Sequence, residues 1–213
     1  DYRKFEETHT NPDRLVASLF KDKYFILKKV NPKELMWGMY WVASDMQNAE
    51  TKVSFYDLFK GQELFDLWQC VNYRFYVGNA NHADGKGIVV ANAKSLLRNI
   101  LDSADEAIRK GGIAATLRFG HDGNVIPLVA LMQIENCNVA VSDPYEVYKV
   151  WSDFKVVPMA ANVQIIFFRN EKSNDILVKI MHNENEVHIP VQTDMFPYYR
   201  WRDVENYYRG MLK

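Results

Sequence analysis

The sequence predicts an α/β fold with a helical cap, and three observations carry that expectation. Residues 113–119 (Ile-Ala-Ala-Thr-Leu-Arg-Phe) are short, mostly apolar and entered through Gly111-Gly112, the pattern of a buried strand. Apolar residues at helical spacing (Val125, Leu128, Val129, Met132) follow almost at once, with Asn124 available as a cap and Pro127 expected in the first turn. The chain before this junction is rich in helix starts, and the chain after it in strand-like runs. Helices, then strand–helix, then antiparallel strands suggest a mixed sheet with helices over it. The expected division is a mainly helical cap over residues 1–84 and an α/β body over 85–213.

Taken in order, Asn11-Pro12 opens a helix carrying Leu15, Leu19 and Phe20, and Asn31-Pro32 opens another carrying Leu35, Met36, Met39 and Val42. Asparagine caps orphan N–H groups, and proline in the first turn loses no bond. A third helix over 62–77 turns Leu64, Phe65, Leu67, Trp68, Val71 and Phe75 inward, an aromatic stripe that reads as core. The Asn- and Gly-rich run 79–87 breaks the pattern and hands the chain to the body. A long helix over 88–110 ends at Gly111-Gly112. Beyond the central strand and helix, Asp143-Pro144 starts a short helix through Tyr148. Residues 162–169, 175–181 and 186–191 read as strands, with Asn183-Glu184-Asn185 as a tight hairpin, and 200–212 as a closing helix.

A net charge of −1 over 213 residues excludes broad binding to nucleic acid or an anionic membrane. No apolar run approaches the roughly 20 residues of a membrane helix. Cys70 and Cys137 belong to no metal-spaced group, so buried free thiols and a disulfide both stand. His9, His82, His182 and His188 are scattered and form no zinc pattern; His182 and His188 flank the hairpin and are expected to face solvent. Lys21, Lys23, Lys28 and Lys29 cluster in the cap, as a solvated face or as a surface for a polyanion.

Gly120, His121, Asp122 and Gly123 lie between the central strand and helix. The carboxyl end of a strand facing a helix N-terminus is where α/β sheets bind ligands. Two readings stand for each neighbour. Asp122 caps the helix or donates a proton, and His121 is a satisfied core histidine or part of a site. Arg118 makes a surface ion pair or binds an anion, and Asn124 caps or contacts a ligand.

Phe119-Gly-His-Asp122, entered by a strand and left by an apolar helix, resembles the second signature of the histidine acid phosphatases, the family of phytases and multiple inositol polyphosphate phosphatases. Residues 11–20 (Asn-Pro-Asp-Arg-Leu-Val-Ala-Ser-Leu-Phe), 66–73 (Asp-Leu-Trp-Gln-Cys-Val-Asn-Tyr) and Pro127-Leu128 resemble the inositol polyphosphate branch in particular. The resemblance implies a phosphoglycerate-mutase-like α/β domain with a helical cap, here in part. It implies hydrolysis of small-molecule phosphomonoesters, inositol polyphosphates such as phytate, through a phosphohistidine intermediate and without a cofactor or metal. Asp122 would be the proton donor and His121 would hold a phosphoryl oxygen; beside such a site, the binding readings of Arg118 and Asn124 become contacts to substrate. A periplasmic or secreted enzyme is implied.

The chain departs from that family in two places. The inositol polyphosphate branch usually has His-Ala-Glu where this chain has His121-Asp122-Gly123, which leaves the branch and its substrate open. The first signature, Arg-His-Gly-x-Arg-x-Pro, which supplies the nucleophilic histidine and phosphate-clamping arginines, does not occur in these residues. The expectation is therefore the C-terminal part of a longer enzyme, inactive by itself. Two rival readings remain: a metal-dependent HD-type phosphohydrolase, and a non-catalytic sugar- or protein-binding domain using the aromatic-rich cap and the Tyr198-Tyr199-Arg200-Trp201 tail.

Overall fold

The computed structural model describes residues 2–170, 172–173 and 175–213; the Lys23 side chain, one of the expected lysine cluster, lies outside the described residues. The chain forms two compact units, one ending at Arg74 and one spanning Phe75–Lys213.

The first unit is built from helices, and among its described residues there is no strand. They are α1 (Tyr2–His9), α2 (Asp13–Leu19), α3 (Lys23–Leu27), α4 (Pro32–Asp45) and most of α5 (Gly61–Asn79), within which the two units divide. The Asn31-Pro32 start acts as expected, while at the other α2 begins one residue later, with Pro12 before it and Phe20 past its end. The Asn31 carboxamide accepts the Lys33 and Glu34 N–H groups at 2.9 and 3.3 Å with Pro32 in the first turn, and Asn11 accepts from Asp13 at 3.0 Å. Leu15, Met36, Tyr40, Ala43, Phe59 and Leu67 form the core. Arg14, paired with Glu63 and donating to the Leu58 carbonyl at 2.7 Å, fastens α2 to α5. The expected stripes are rotated slightly. On α4 the buried positions are Met36, Tyr40 and Ala43, with Val42 exposed; on α5 Phe65 is exposed while Tyr73 and Tyr76 are buried. The inward phase of each helix thus lies a little off the expected stripe, with Tyr40, Tyr73 and Tyr76 completing those faces.

In the second unit the expected long helix is broken at Asn92-Ala93 into α6 (Ile88–Ala91) and α7 (Lys94–Lys110). Gly111 and Gly112, at φ +68° and +77°, stop α7 in a conformation that side chains resist. The central expectation is corrected here. Residues 113–119 belong to no strand and are exposed along their length, because none of the sheet strands among the described residues pairs with them. Helix α8 (Asp122–Leu131) follows, packed against α6 and α7. It begins earlier than the apolar spacing alone implies, which puts Pro127 in its interior rather than its first turn. Ile126 and Val129, with Met132 just beyond the helix, are fully buried, each contributing about 1.5–3 kcal/mol of transfer free energy.

Asp143-Pro144 makes a turn, and the helix there, α9 (Val147–Val150), starts later than expected; α10 (Asp153–Val156) follows. The sheet is antiparallel. β1 (Val163–Arg169) pairs with β2 (Ile176–His182), whose other edge takes β3 (Asn185–Glu186) and β4 (Tyr198–Arg200). Asn183 and Glu184, both at positive φ, make the two-residue hairpin turn. The third strand is thus two residues long instead of six, and β4 is an addition to the expected sheet. Period-two alternation buries Val178, Ile180 and His182 together, so His182 faces the core, contrary to expectation. Helix α11 (Trp201–Met211) covers the sheet with Trp201, Val204 and Tyr208. Helices packed on a sheet place the chain in the expected α/β class.

Candidate active site

The site candidate is the turn from residues 118–124 into α8. His121 is the N-cap, in extended conformation, and its carbonyl accepts the Asn124 N–H at 2.9 Å. Asn124 answers with its side chain, whose oxygen accepts the His121 N–H at 3.2 Å, one arm of a capping box. The Asp122 carboxylate accepts the Gly123 N–H at 2.6 Å. Capping is therefore the observed role of Asn124 and one observed role of Asp122. These bonds hold the backbone while His121 and Asp122 both lie exposed. The positive end of the α8 dipole sits behind them, where anions are favoured.

Glycine eases this closeness, most of all at Gly120. A Cβ on Gly120 would stand 3.1 Å from the Asn124 side-chain oxygen, and one on Gly123 would stand 3.5 Å from the Asn79 side-chain oxygen. Asn79, the last residue of α5, is thus a neighbour of the turn. Its sequence context, the start of an Asn- and Gly-rich break, carries no signal of that.

Arg118 is elsewhere. Its guanidinium donates to the Asn99 side-chain oxygen at 2.8 Å and to the Ser103 hydroxyl at 2.8 Å, both on α7. The structure brings His121, Asp122 and Asn124 together and sets Arg118 against α7.

A second pair of chemically capable groups is inert. Cys137 Sγ lies 3.7 Å from His182 Nδ1, and His182 Nε2 donates to the Val156 carbonyl at 2.8 Å. That leaves Nδ1 to accept from the thiol. Burial pushes the Cys137 thiol up to about 12 and the His182 imidazole down, both against a thiolate–imidazolium pair. Cys70 and Cys137 are both free and buried. In the first unit, a concavity of about 360 Å³ is lined by His9, Arg14, Lys60, Glu63 and Asp66 among others, with Arg14 and Glu63 neutralising one another. Among the described residues no group of three or more His, Cys, Asp or Glu is placed to hold a metal ion. No helix among them is long and apolar enough to cross a membrane.

Among curated proteins none matches this chain. Solved structures do. The multiple inositol polyphosphate phosphatase of Bifidobacterium longum in complex with phosphate superposes with a TM-score of 0.68 at 22% identity, covering 82% of this chain and 39% of that one. The same enzyme in complex with inositol hexasulfate gives 0.67 at 23% identity, covering 84% and 38%. Its apo form gives 0.65 at 24% identity, covering 78% and 37%. These likenesses show a shared fold, and this chain spans less than two fifths of the length of those structures. The family model for the histidine phosphatase superfamily (branch 2) matches residues 14–183, a span that contains the whole of the His121-Asp122 turn. The chain therefore belongs to the histidine phosphatase superfamily, branch 2.

Proposed function

We propose that this chain is the C-terminal part of a histidine acid phosphatase acting on phosphomonoesters, with inositol polyphosphates such as phytate as the substrate class. Residues 1–84 serve it as a helical cap and 85–213 as part of the phosphatase domain. The periplasm or the extracellular space is its compartment. The observation that carries the reading is the exposed His121-Asp122 pair at the head of α8, inside the span matched by the family.

The chemistry needs a histidine nucleophile that these residues do not provide, and the proposal places it on polypeptide beyond them. That histidine attacks phosphorus and forms an N–P bond as the P–O bond to the leaving alcohol breaks. Asp122 gives its proton to the departing oxygen, and water then cleaves the N–P bond and releases phosphate. His121 donates to a phosphoryl oxygen. Arg118 serves as a phosphate ligand only on leaving Asn99 and Ser103. Positioned acid catalysis is typically worth about 10²–10⁴ in rate. The test uses the longest polypeptide encoded in the same reading frame, assayed on phytate and on p-nitrophenyl phosphate. Asp122→Asn should depress phytate turnover by about that factor and spare p-nitrophenyl phosphate, whose leaving group departs without a proton. His121→Ala should harm both. Equal losses on both substrates for Asp122→Asn would remove the proton-donor role.

A further inference from the structure

The turn around α3 stands out from the first unit. Tyr24 is 84%, Phe25 59% and Leu27 41% exposed, although all three carry apolar surface that proteins tend to cover. Among the described side chains of residues 21–31 none is buried, and only Ile26 and Val30 are half-buried. The turn is nonetheless firmly built. The Asp22 carboxylate accepts the Phe25 N–H at 2.8 Å, the Val30 N–H donates to the Ile26 carbonyl at 2.9 Å, and Asn31 caps α4 directly after. At helical spacing Tyr24, Phe25, Leu27 and Lys28 lie on one side of the turn, and Ile26 takes the other.

The charges around these rings share one sign. Residues 21–29 hold four lysines against one aspartate, and that aspartate is engaged as the cap. Lys21, Lys28 and Lys29 are exposed, and among the described residues none of the three is in an ion pair. The lysines want an anionic partner and the rings an apolar one. A soluble polyphosphate answers the lysines and leaves the rings in water. An acidic peptide needs a groove to lie in, and a projecting turn offers none. The headgroup region of an anionic bilayer presents both chemistries on a surface that yields to a convex tip, and aromatic side chains settle at that level. The net charge of −1 for the whole chain excludes broad attraction, so the contact is confined to this patch.

We infer that α3 and its flanking lysines form an interfacial anchor that lays the chain against an anionic lipid bilayer. Tyr24, Phe25 and Leu27 enter the headgroup region, and Lys21, Lys28 and Lys29 meet its phosphates. Each lysine near such a surface strengthens binding about fivefold, so one short turn gives a weak, reversible, salt-sensitive attachment.

Sedimentation with vesicles tests the anchor. The 213-residue chain should bind phosphatidylcholine vesicles containing about 30% phosphatidylglycerol at least about 10-fold more tightly than pure phosphatidylcholine, and should lose that advantage in about 0.5 M salt. Lys21→Gln with Lys28→Gln and Lys29→Gln should weaken binding about 100-fold, and Tyr24→Ser with Phe25→Ser at least about 10-fold. Both sets alter exposed side chains, so neither should move the denaturant midpoint of unfolding. Equal binding to the two vesicles, or binding that neither set changes, would overturn the inference. Binding of soluble phytate that the lysine set abolishes and the Tyr24 and Phe25 set spares would also overturn it, making the patch a site for a free polyanion. The longest polypeptide of the same reading frame should bind the same vesicles; its failure to do so would mean that its own residues cover the turn. Because no hydrolysis is read, the outcome is independent of the proposed phosphatase activity.

Discussion

The side-chain oxygen of Asn124 holds the backbone N–H of His121 at 3.2 Å, and the same oxygen is what a Cβ on Gly120 would meet at 3.1 Å. The start of α8 and the turn that presents His121 are therefore one interaction. Asn124→Ala should cost about 1 kcal/mol of stability, as the loss of a helix cap does. Gly120→Ala should cost a similar amount by pushing the carboxamide away. If both act on this one contact, Gly120→Ala should cost markedly less in the Asn124→Ala background. Strict additivity in urea unfolding of the four proteins would show that they act separately.

Cys70 and Cys137 are the only two thiols, and burial pushes both up to about 12. At pH 8 only on the order of 10⁻⁴ of each is thiolate. Neither should be labelled by a disulfide reagent in the folded protein, and two equivalents should react once guanidinium unfolds it. Rapid labelling of either cysteine in the native state would contradict their placement.

His182 sets a pH dependence whose direction is determined by its burial. Its ring meets the Cys137 thiol on one side and the Val156 carbonyl and Asn183 carboxamide on the other, with no charged group among these partners. Desolvation lowers its folded pKa below the ordinary 6.5. Below that value the unfolded chain binds a proton that the folded one resists, so this stability is complete above about pH 6.5 and is lost as pH falls toward the folded pKa. The slope cannot exceed about 1.4 kcal/mol per pH unit for one group. Denaturant titrations between pH 5 and 7.5 should show that slope and its loss in His182→Gln. An unchanged slope in the variant would assign the effect to another residue.

Local chemistry was legible and pairing at a distance was not. Asn31-Pro32 announces α4 because the cap and the proline act within one turn of each other. The His121-Asp122 turn was equally readable, since two glycines and an adjacent helical period mark it. The burial of His182 was there to be read in the alternation with Val178 and Ile180, but its place beside a hairpin suggested solvent. The partners of Arg118 lie 19 and 15 residues earlier on α7, beyond what strand alternation can reveal. The strand expected over 113–119 failed for the same kind of reason: composition states a preference for burial, but pairing needs neighbours. β4 carries no strand signal of its own, because its three residues run directly into α11 and share that helix's aromatic character.

Arg209 is the clasp between α11 and α7. Its guanidinium donates to Asp102 at 2.9 Å, Asp105 at 2.5 Å and Glu205 at 2.6 Å, and Trp201 adds a bond to Asp105 at 3.1 Å. An isolated exposed pair is worth about 0–1 kcal/mol, but one fork serving three carboxylates spends a single side chain's entropy on several bonds. Removing it also leaves those carboxylates repelling one another. Arg209→Met, which keeps much of the apolar stem, should therefore cost about 1–3 kcal/mol, and less at high salt. The pH course follows from Asp105. Burial opposes its charge, but hydrogen bonds with Arg209, Glu205 and Trp201, and the Arg209 charge, outweigh that and hold its pKa below the ordinary carboxylate value. A depressed carboxyl stabilises the fold above its unfolded pKa of about 3.9 and stops doing so as pH falls through the folded value. The stability gap between the native protein and Arg209→Met should be level from pH 5 to 8 and shrink below about pH 4. A gap that stayed constant into strong acid would mean that Arg209 holds the two helices by packing alone.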